Sequence, residues 1–275
     1  LFENDRLPQH LLIMGAGPIG MEMAQAYVRL GAQVTVVGDQ VMPRDEPEAV
    51  EVIRRVLTRE GVTIIESLVT EVRHAGDEIT LVLKNGQTVG GDMLLVAVGR
   101  APNIEALDLD KAGVQFTKQG IPVNDHLQTN LPHIYAVGDV TTGPKFTHYA
   151  GFQGSIAGRN MLLPIGKGKG HADILPWVTF TEPEVAHVGL TEAQAREQHG
   201  AAVKVSLFPM GEGDRAVTEG DTEGFIKLVY RGSGQLLGAT IVAERAGEMI
   251  TEYTLVLAKK VSARSLISVI HPYPT

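Results

Sequence analysis

Thr129-Asn130-Leu131-Pro132-His133-Ile134-Tyr135-Ala136-Val137-Gly138-Asp139-Val140 decides the fold once it is set beside an earlier stretch, Gly15-Ala16-Gly17-Pro18-Ile19-Gly20. The earlier stretch follows the apolar run Leu11 to Met14 and opens onto helix-forming residues, Met21 to Leu30, closed by Gly31. That order reads strand, tight turn, helix. Within it Gly15 permits the sharp turn, Gly17 lets backbone N–H groups approach a pyrophosphate, and Gly20 allows the helix to pack closely on the strand. A phosphate there would sit on the positive end of the helix dipole. A G-x-G-x-x-G alone is weak, and a glycine-rich turn without a ligand is the plain alternative. The later stretch adds an apolar strand ending in Gly138-Asp139, a carboxylate at a strand's C-terminal edge, where open α/β sheets bind ligands. A structural Asp capping a loop is the alternative there.

Working outward, Ala32 to Val37 is a second β-branched run and Glu48 to Glu60 an amphipathic helix stopped at Gly61. With Thr63 to Ile65 they give a parallel βαβα order. Val69 to Arg73, Glu78 to Leu83 and Gln87 to Val89, with Asn85-Gly86 between the last two, read as an antiparallel meander. Met93 to Val98 and Ile134 to Val137 read as buried strands, and Gly99-Arg100-Ala101-Pro102-Asn103 as a crossover into another lobe. Thr147 begins a helix running to about Leu163, and Gly166 to Gly170 is a linker candidate. Val203 to Phe208, Phe225 to Tyr230 and Leu236 to Val242 then read as antiparallel strands, the last two joined through Arg231 to Gly234. Two helices flank them, one opened by a Thr191/Gln194 capping box and one over Glu248 to Lys260. The pattern has become α+β.

The 275 residues, 44% hydrophobic, suffice for a full core in two or three lobes. No apolar run approaches the 18 or so residues of a membrane helix and nothing resembles a signal peptide, so a cytoplasmic location is expected. Twenty-four basic against 32 acidic residues, net −8, disfavour nucleic acid and anionic membranes as partners. The absence of Cys removes disulfides and thiolate metal sites, and the nine His show no HExxH spacing, so no metal site is expected. A chain opening on Leu1 rather than Met reads as part of a longer protein.

A ribose selector is expected roughly 20 residues beyond the last glycine, at the end of the second strand. Gly38-Asp39 stands there. Asp39 would accept both adenosine ribose hydroxyls and repel a 2′-phosphate, which favours NADH over NADPH. Arg44, swinging back to a phosphate, keeps the other choice open, and Asp39 merely solvating a turn is the plain alternative.

The order of these motifs resembles the class I pyridine nucleotide-disulfide oxidoreductases, in particular the mercuric reductase and dihydrolipoamide dehydrogenase group, over essentially the whole chain. The later segments Pro176 to Glu184, Val188 to Glu192, Gly238 to Val242 and Ala246 to Glu248 are similar to that family's interface domain. The resemblance implies an α/β fold, Rossmann-like dinucleotide-binding lobes followed by an α+β dimerisation domain. It places an NAD(P)-binding domain at 1–98, the C-terminal part of an FAD-binding domain at 99–165 and the interface domain at 171–275. It implies FAD and NAD(P)H as cofactors, a homodimer, and electrons passing from nicotinamide through flavin to a dithiol, with a small molecule or metal as acceptor. Gly15, Gly17, Pro18, Ile19, Gly20, Asp39 and Gly99 would contact cofactor. Pro18 stands where relatives often carry a gating Tyr, and Gly38 where NAD-specific relatives usually carry Glu. Asp139, beside Gly138, would hold a flavin ribityl hydroxyl, and Thr147 would cap its helix so that the amides of His148 and Tyr149 face the flavin. Glu22 usually pairs with a Lys beside the flavin; a bland first-turn carboxylate is the alternative.

The chain ends on His271-Pro272-Tyr273-Pro274-Thr275, similar to the motif that completes the partner's active site. Dihydrolipoamide dehydrogenases and glutathione reductases have a His acid/base where Tyr273 stands, and mercuric reductases a Tyr. A phenol titrating near 10 is poorly matched to proton shuttling at pH 7, and His271 is the alternative base. With no Cys, the family's dithiol is missing from these residues, which leaves a non-catalytic dinucleotide-binding and dimerisation module, or a thiol-free NADH oxidase, as competing readings.

Overall fold

The computed structural model describes residues 3–163 and 165–275. The continuous apolar run at its start forms β1 (His10–Met14), followed by α1 (Pro18–Arg29), β2 (Gln33–Gly38), α2 (Pro47–Arg59) and β3 (Thr63–Glu66). Pro18 and Pro47 each occupy the first helical turn, where the missing N–H costs no hydrogen bond. Both helices stop ahead of a glycine in the left-handed region, Gly31 and Gly61. In α2 the buried residues Ala49, Val52, Ile53, Val56 and Leu57 form one stripe at helical spacing. After β3 come β4 (Val69–Ala75), β5 (Glu78–Leu83), β6 (Thr88–Gly91) and β7 (Met93–Val96). The parallel sheet runs β3-β2-β1-β7, and β4-β5-β6 forms an antiparallel meander turned at Gly86. Leu11, Ile13, Val34, Val36, Met21, Ile53 and Leu57 make the core between sheet and helices. Each such side chain contributes about 1.5–3 kcal/mol on burial. The run Met93 to Val98 is not the fully buried strand its composition suggests: β7 lies on the sheet edge, Val96 and Val98 are exposed, and Met93, Leu94, Leu95 and Ala97 are half-covered.

The middle of the chain holds α3 (Leu109–Ala112) and α4 (Thr147–Leu162). Ile134 to Val137 is extended but is no sheet strand. Among the described residues its one bridge is that from Tyr135 to Gln128, and no strand among them runs alongside to accept a ladder. The N-cap of α4 is Phe146, with Thr147 already inside the helix, so the expected Thr147 cap is displaced by one residue and no side chain caps the turn. Gly166 to Gly170 is no free linker. Asn160 bonds both ways with Gly168, Gly170 N–H donates to Asp125, and the Tyr149 hydroxyl donates to the Gly170 carbonyl.

The remaining elements are β8 (Trp177–Thr179), β9 (Glu184–Gly189), α5 (Glu192–His199), β10 (Val203–Pro209), α6 (Asp214–Glu219), β11 (Phe225–Arg231), β12 (Leu236–Ala243) and α7 (Ala246–Ala258). They build an antiparallel sheet in the order β10-β11-β12-β9-β8, with α7 packed on β9 and β12. The Thr191/Gln194 capping box is present at α5. Every residue of β12 is buried, and Phe225, Val185 and Val242 join the core of β1, α1 and α2. The residues up to Val98 and those from Pro176 onward therefore form one compact unit, and Gly99–Leu175 a second.

Candidate cofactor-binding site

The three glycines between β1 and α1 differ in what surrounds them. Gly15 has φ +113, donates its N–H to the Val37 carbonyl at 2.7 Å, and a Cβ there would lie 2.5 Å from the Ala97 carbonyl oxygen. At Gly20 a Cβ would lie 2.0 Å from the Gly15 carbonyl oxygen. Both are demanded by the fold. Gly17, the N-cap of α1, has ordinary extended geometry and nothing within 4 Å of a would-be Cβ. Its glycine is therefore not needed by packing; the open space in front of a helix N-terminus fits a pyrophosphate approaching the backbone. Pro18 and Ile19 are exposed beside it.

At the end of β2, Gly38 faces the same turn. A Cβ there would meet Ala16 N at 2.7 Å and Ala16 Cβ at 2.8 Å, so close backbone packing requires glycine. Asp39 is exposed, with Oδ1 accepting the Gln40 N–H at 3.1 Å, and Arg44 is exposed further along the loop. Between them Met42, fully buried, adopts φ +42, the left-handed region that costs a non-glycine residue about 1–2 kcal/mol. Its N–H donates to the Ala16 carbonyl at 2.9 Å and its carbonyl accepts from Asp45 N–H.

The loop's far end carries residues that sequence reading missed. Asp45 accepts the Trp177 indole N–H at 3.2 Å; burial pushes its carboxyl up to about 6, against the opposing effects of that bond and of Arg44. Trp177 packs against His187 with the rings tilted by 35°; His187 Nε2–H donates to the Gly189 carbonyl while Nδ1 accepts from Thr240, and burial lowers the ring's pKa. Glu46, the N-cap of α2, accepts from Glu192 N–H at 2.6 Å and from the Lys227 ammonium at 3.1 Å. Lys227, only 2% exposed, also reaches Glu48 at 2.7 Å and Glu192 at 2.9 Å. Burial pulls its pKa down, but the bonds from Glu48, Glu192 and Glu46 outweigh this and raise it. The signal was present in the sequence: strand alternation puts Lys227 on the face of Phe225 and Val229.

Glu22 lies past the first turn of α1 and accepts the Phe180 N–H at 2.8 Å, with burial, opposed by that bond, raising its pKa. In the other unit Gly138, at φ +70, is pressed so that a Cβ would lie 2.8 Å from Ala150 Cβ; its N–H donates to Gln153 at 2.7 Å. Asp139 exposes its carboxylate, 3.6 Å from the Arg100 guanidinium, which also donates to the Lys145 carbonyl. Thr147 and His148 are exposed in the first turn of α4, with His148 stacked on Phe146, and Gly99 is exposed at φ +138. Near the C-terminus, His271 bonds Glu252 at 3.0 Å, and Tyr273, 83% exposed, has its phenol pKa raised by a hydrogen bond to Asp214 and by that group's charge. Among the described residues no cluster of three or more His, Cys, Asp or Glu is placed to hold a metal ion, and no helix is long and apolar enough to cross a membrane.

A strand, a glycine turn with one open position and a helix on a parallel sheet define a Rossmann-like lobe, here joined to an antiparallel sheet with a covering helix. The pyridine nucleotide-disulphide oxidoreductase family matches residues 1–154 and its dimerisation domain residues 175–275, and the chain belongs to this family. It is 38% identical to a mercuric reductase from Staphylococcus aureus, over 99% of this chain and 51% of the relative. It is 37% identical to a dihydrolipoyl dehydrogenase from Thermus scotoductus, over 99% of this chain and 60% of the relative. The chain thus spans between half and three-fifths of the length of these relatives. Among solved structures it is similar to LpdA from Mycobacterium tuberculosis, with a TM-score of 0.90 and 28% identity over 100% of this chain and 61% of that one. The HOCl-induced flavoprotein disulfide reductase RclA from Escherichia coli gives a TM-score of 0.92 and 29% identity over 99% of this chain and 63% of that one.

Proposed function

We propose that the chain provides the nicotinamide-nucleotide site, a flavin contact and the dimer contact of a flavin-dependent NAD(P)H oxidoreductase that reduces a disulfide or a metal ion, with NADH preferred. The observation that carries this reading is the glycine turn, where Gly17 alone of the three signature glycines faces open space at a helix N-terminus. Gly15, Gly17 and Gly20, flanked by Pro18 and Ile19, would hold the pyrophosphate, and Asp39 the adenosine ribose. Asp139, with a solvent-accessible carboxylate and Gly138 packed beneath it, suits a flavin ribityl hydroxyl. The uncapped first turn of α4, with Thr147 and His148, and Gly99 complete that side. When bound, flavin supplies the two-electron relay between nicotinamide and acceptor. Glu22 would orient a cationic partner beside it, and Tyr273, its phenol pKa raised by Asp214, would present its hydroxyl oxygen to the acceptor in the partner subunit's site.

The corresponding domains are 1–98 for nucleotide, 99–165 for flavin and 171–275 for a homodimer contact. Use of the cell's nicotinamide pool fits a cytoplasmic location. These 275 residues contain no Cys, and so do not themselves supply a redox dithiol. That fact favours one second reading, a nucleotide-binding and dimerisation module without turnover.

Titration calorimetry with NADH tests the first reading. Gly17→Ala adds a Cβ with nothing within 4 Å of it, so the fold should survive with at most the small loss of a poorer N-cap residue, while the NADH Kd rises at least about tenfold, as expected when a pyrophosphate loses its backbone approach. Equal affinity for NADH in the two proteins would refute it.

A further inference from the structure

The loop from Asp39 to Glu46 starts at the exposed carboxylate read above as the ribose selector and ends at the N-cap of α2. Its middle is strained, since Met42 holds φ +42 with a fully buried side chain. A non-glycine residue stays in that region only where its surroundings over-determine it, and such strain collects at ligand-handling positions. Three anchors do so. Met42 N–H is tied to the Ala16 carbonyl of the glycine turn at 2.9 Å. Asp45 is tied to the Trp177 indole at 3.2 Å, and Glu46 to Lys227 at 3.1 Å and to the Glu192 amide at 2.6 Å. The last two anchors come from residues more than a hundred positions along the chain, on β8, α5 and β11 of the antiparallel sheet region.

We propose that Trp177, acting through Asp45, is a positioning residue for adenosine-ribose recognition: the sheet region built from 176–275 holds the strained loop so that Asp39 reads a free 2′-hydroxyl. The proposal rests on the reading of Asp39 as selector. Trp177 touches no nucleotide in this scheme. Its indole N–H fixes the loop's C-terminal end, and Met42 transmits that placement to the stretch beginning at Asp39.

The test compares wild type, Trp177→Phe, Asp45→Ala and Asp39→Asn by calorimetric titration with NADH and with NADPH, and by thermal melting without ligand. Trp177→Phe deletes the N–H and keeps most of the aromatic packing against His187. It should weaken NADH about fivefold, an amount matching the loss of one well-placed hydrogen bond, and leave NADPH nearly unchanged, so that discrimination between the two falls about fivefold. Asp45→Ala should do the same. A purely structural role for Trp177 would lower the melting temperature and weaken both nucleotides in proportion, or neither, leaving their ratio intact; that result overturns the proposal. Asp39→Asn separates the two levels of the argument. If it leaves the ratio unchanged, the selector reading has failed and the positioning role falls with it. If it collapses the ratio while Trp177→Phe does not, the selector stands and the positioning role alone is wrong. Should Trp177→Phe fail to fold, Asp45→Asn, which keeps an oxygen to accept from Trp177, serves as the control: it should preserve discrimination that Asp45→Ala loses, and equal discrimination in the two refutes the proposal.

Discussion

Asp45 carries the clearest pH consequence of a single side chain. An unfolded Asp titrates near 3.8, and burial raises this carboxyl to about 6 in the folded chain. The folded state thus favours the neutral form, so the stability contribution is fully present below the unfolded value and is lost as pH rises through 6. Asp45→Asn, whose amide oxygen still accepts from Trp177, should gain stability relative to wild type by about 2–3 kcal/mol between pH 4 and pH 8. Urea denaturation at the two pH values measures this, and a constant difference would show that Asp45 is not held neutral. At the C-terminus, Tyr273→Phe in the complete dimer should lower turnover with a metal or small disulfide acceptor up to about tenfold, the scale of one lost hydrogen bond, with the NADH Kd unchanged. Tyr273→His should raise dihydrolipoamide oxidation. A wild type that already oxidises dihydrolipoamide briskly, with a rate that His271→Ala abolishes, would make His271 the base instead. The glycine positions were legible in the sequence because their spacing encodes backbone need. Asp45 and Trp177 were not, since a loop Asp and a lone Trp carry no periodic signal and their bond spans sequence-distant segments.

Among the elements, α1 is fixed by the close approach of Gly20 to Gly15 and β11 by the buried Lys227–Glu46 pair. Gly20→Ala would drive a Cβ to 2.0 Å from the Gly15 carbonyl oxygen, backbone that cannot turn aside, and should cost about 1–3 kcal/mol or more by urea denaturation. Wild-type stability in that variant would mean that α1 does not pack so closely on β1. On β11, Lys227→Met removes the cation from Glu46, itself 2% exposed, and should cost about 3–5 kcal/mol, the scale for stranding a buried charge. A loss below about 1 kcal/mol would show that water takes the place of the ammonium beside Glu46. The strand and helix order of the first 98 residues was readable because apolar runs and glycine stops alternate regularly there. Ile134 to Val137 was misread because an apolar run specifies extension but not a neighbour to pair with. The N-terminus of α4 shifted by one residue because Phe146, not the Thr after it, adopts the extended cap geometry.

For the whole molecule, residues 176–275 place Ile267, Val269, Ile270 and Tyr273 largely in solvent, an apolar surface consistent with the dimerisation domain they match. Sedimentation velocity should find a dimer that Ile270→Asp shifts toward monomer; a monomeric wild type at micromolar concentration would contradict the homodimer reading. The net charge of −8 adds no electrostatic attraction for an anionic nucleotide, so affinity must come from the local turn and the loop after β2. The central claim is that this turn and loop hold a nicotinamide nucleotide and choose NADH. The most direct measurement is equilibrium titration of the purified chain with NADH and NADPH, before and after Asp39→Arg. The account predicts saturable binding of one NADH per chain, at least about tenfold tighter than NADPH, with the preference reversed by Asp39→Arg because the new cation would pair with the 2′-phosphate. No binding of either nucleotide, or a ratio that Asp39→Arg leaves unchanged, would contradict it.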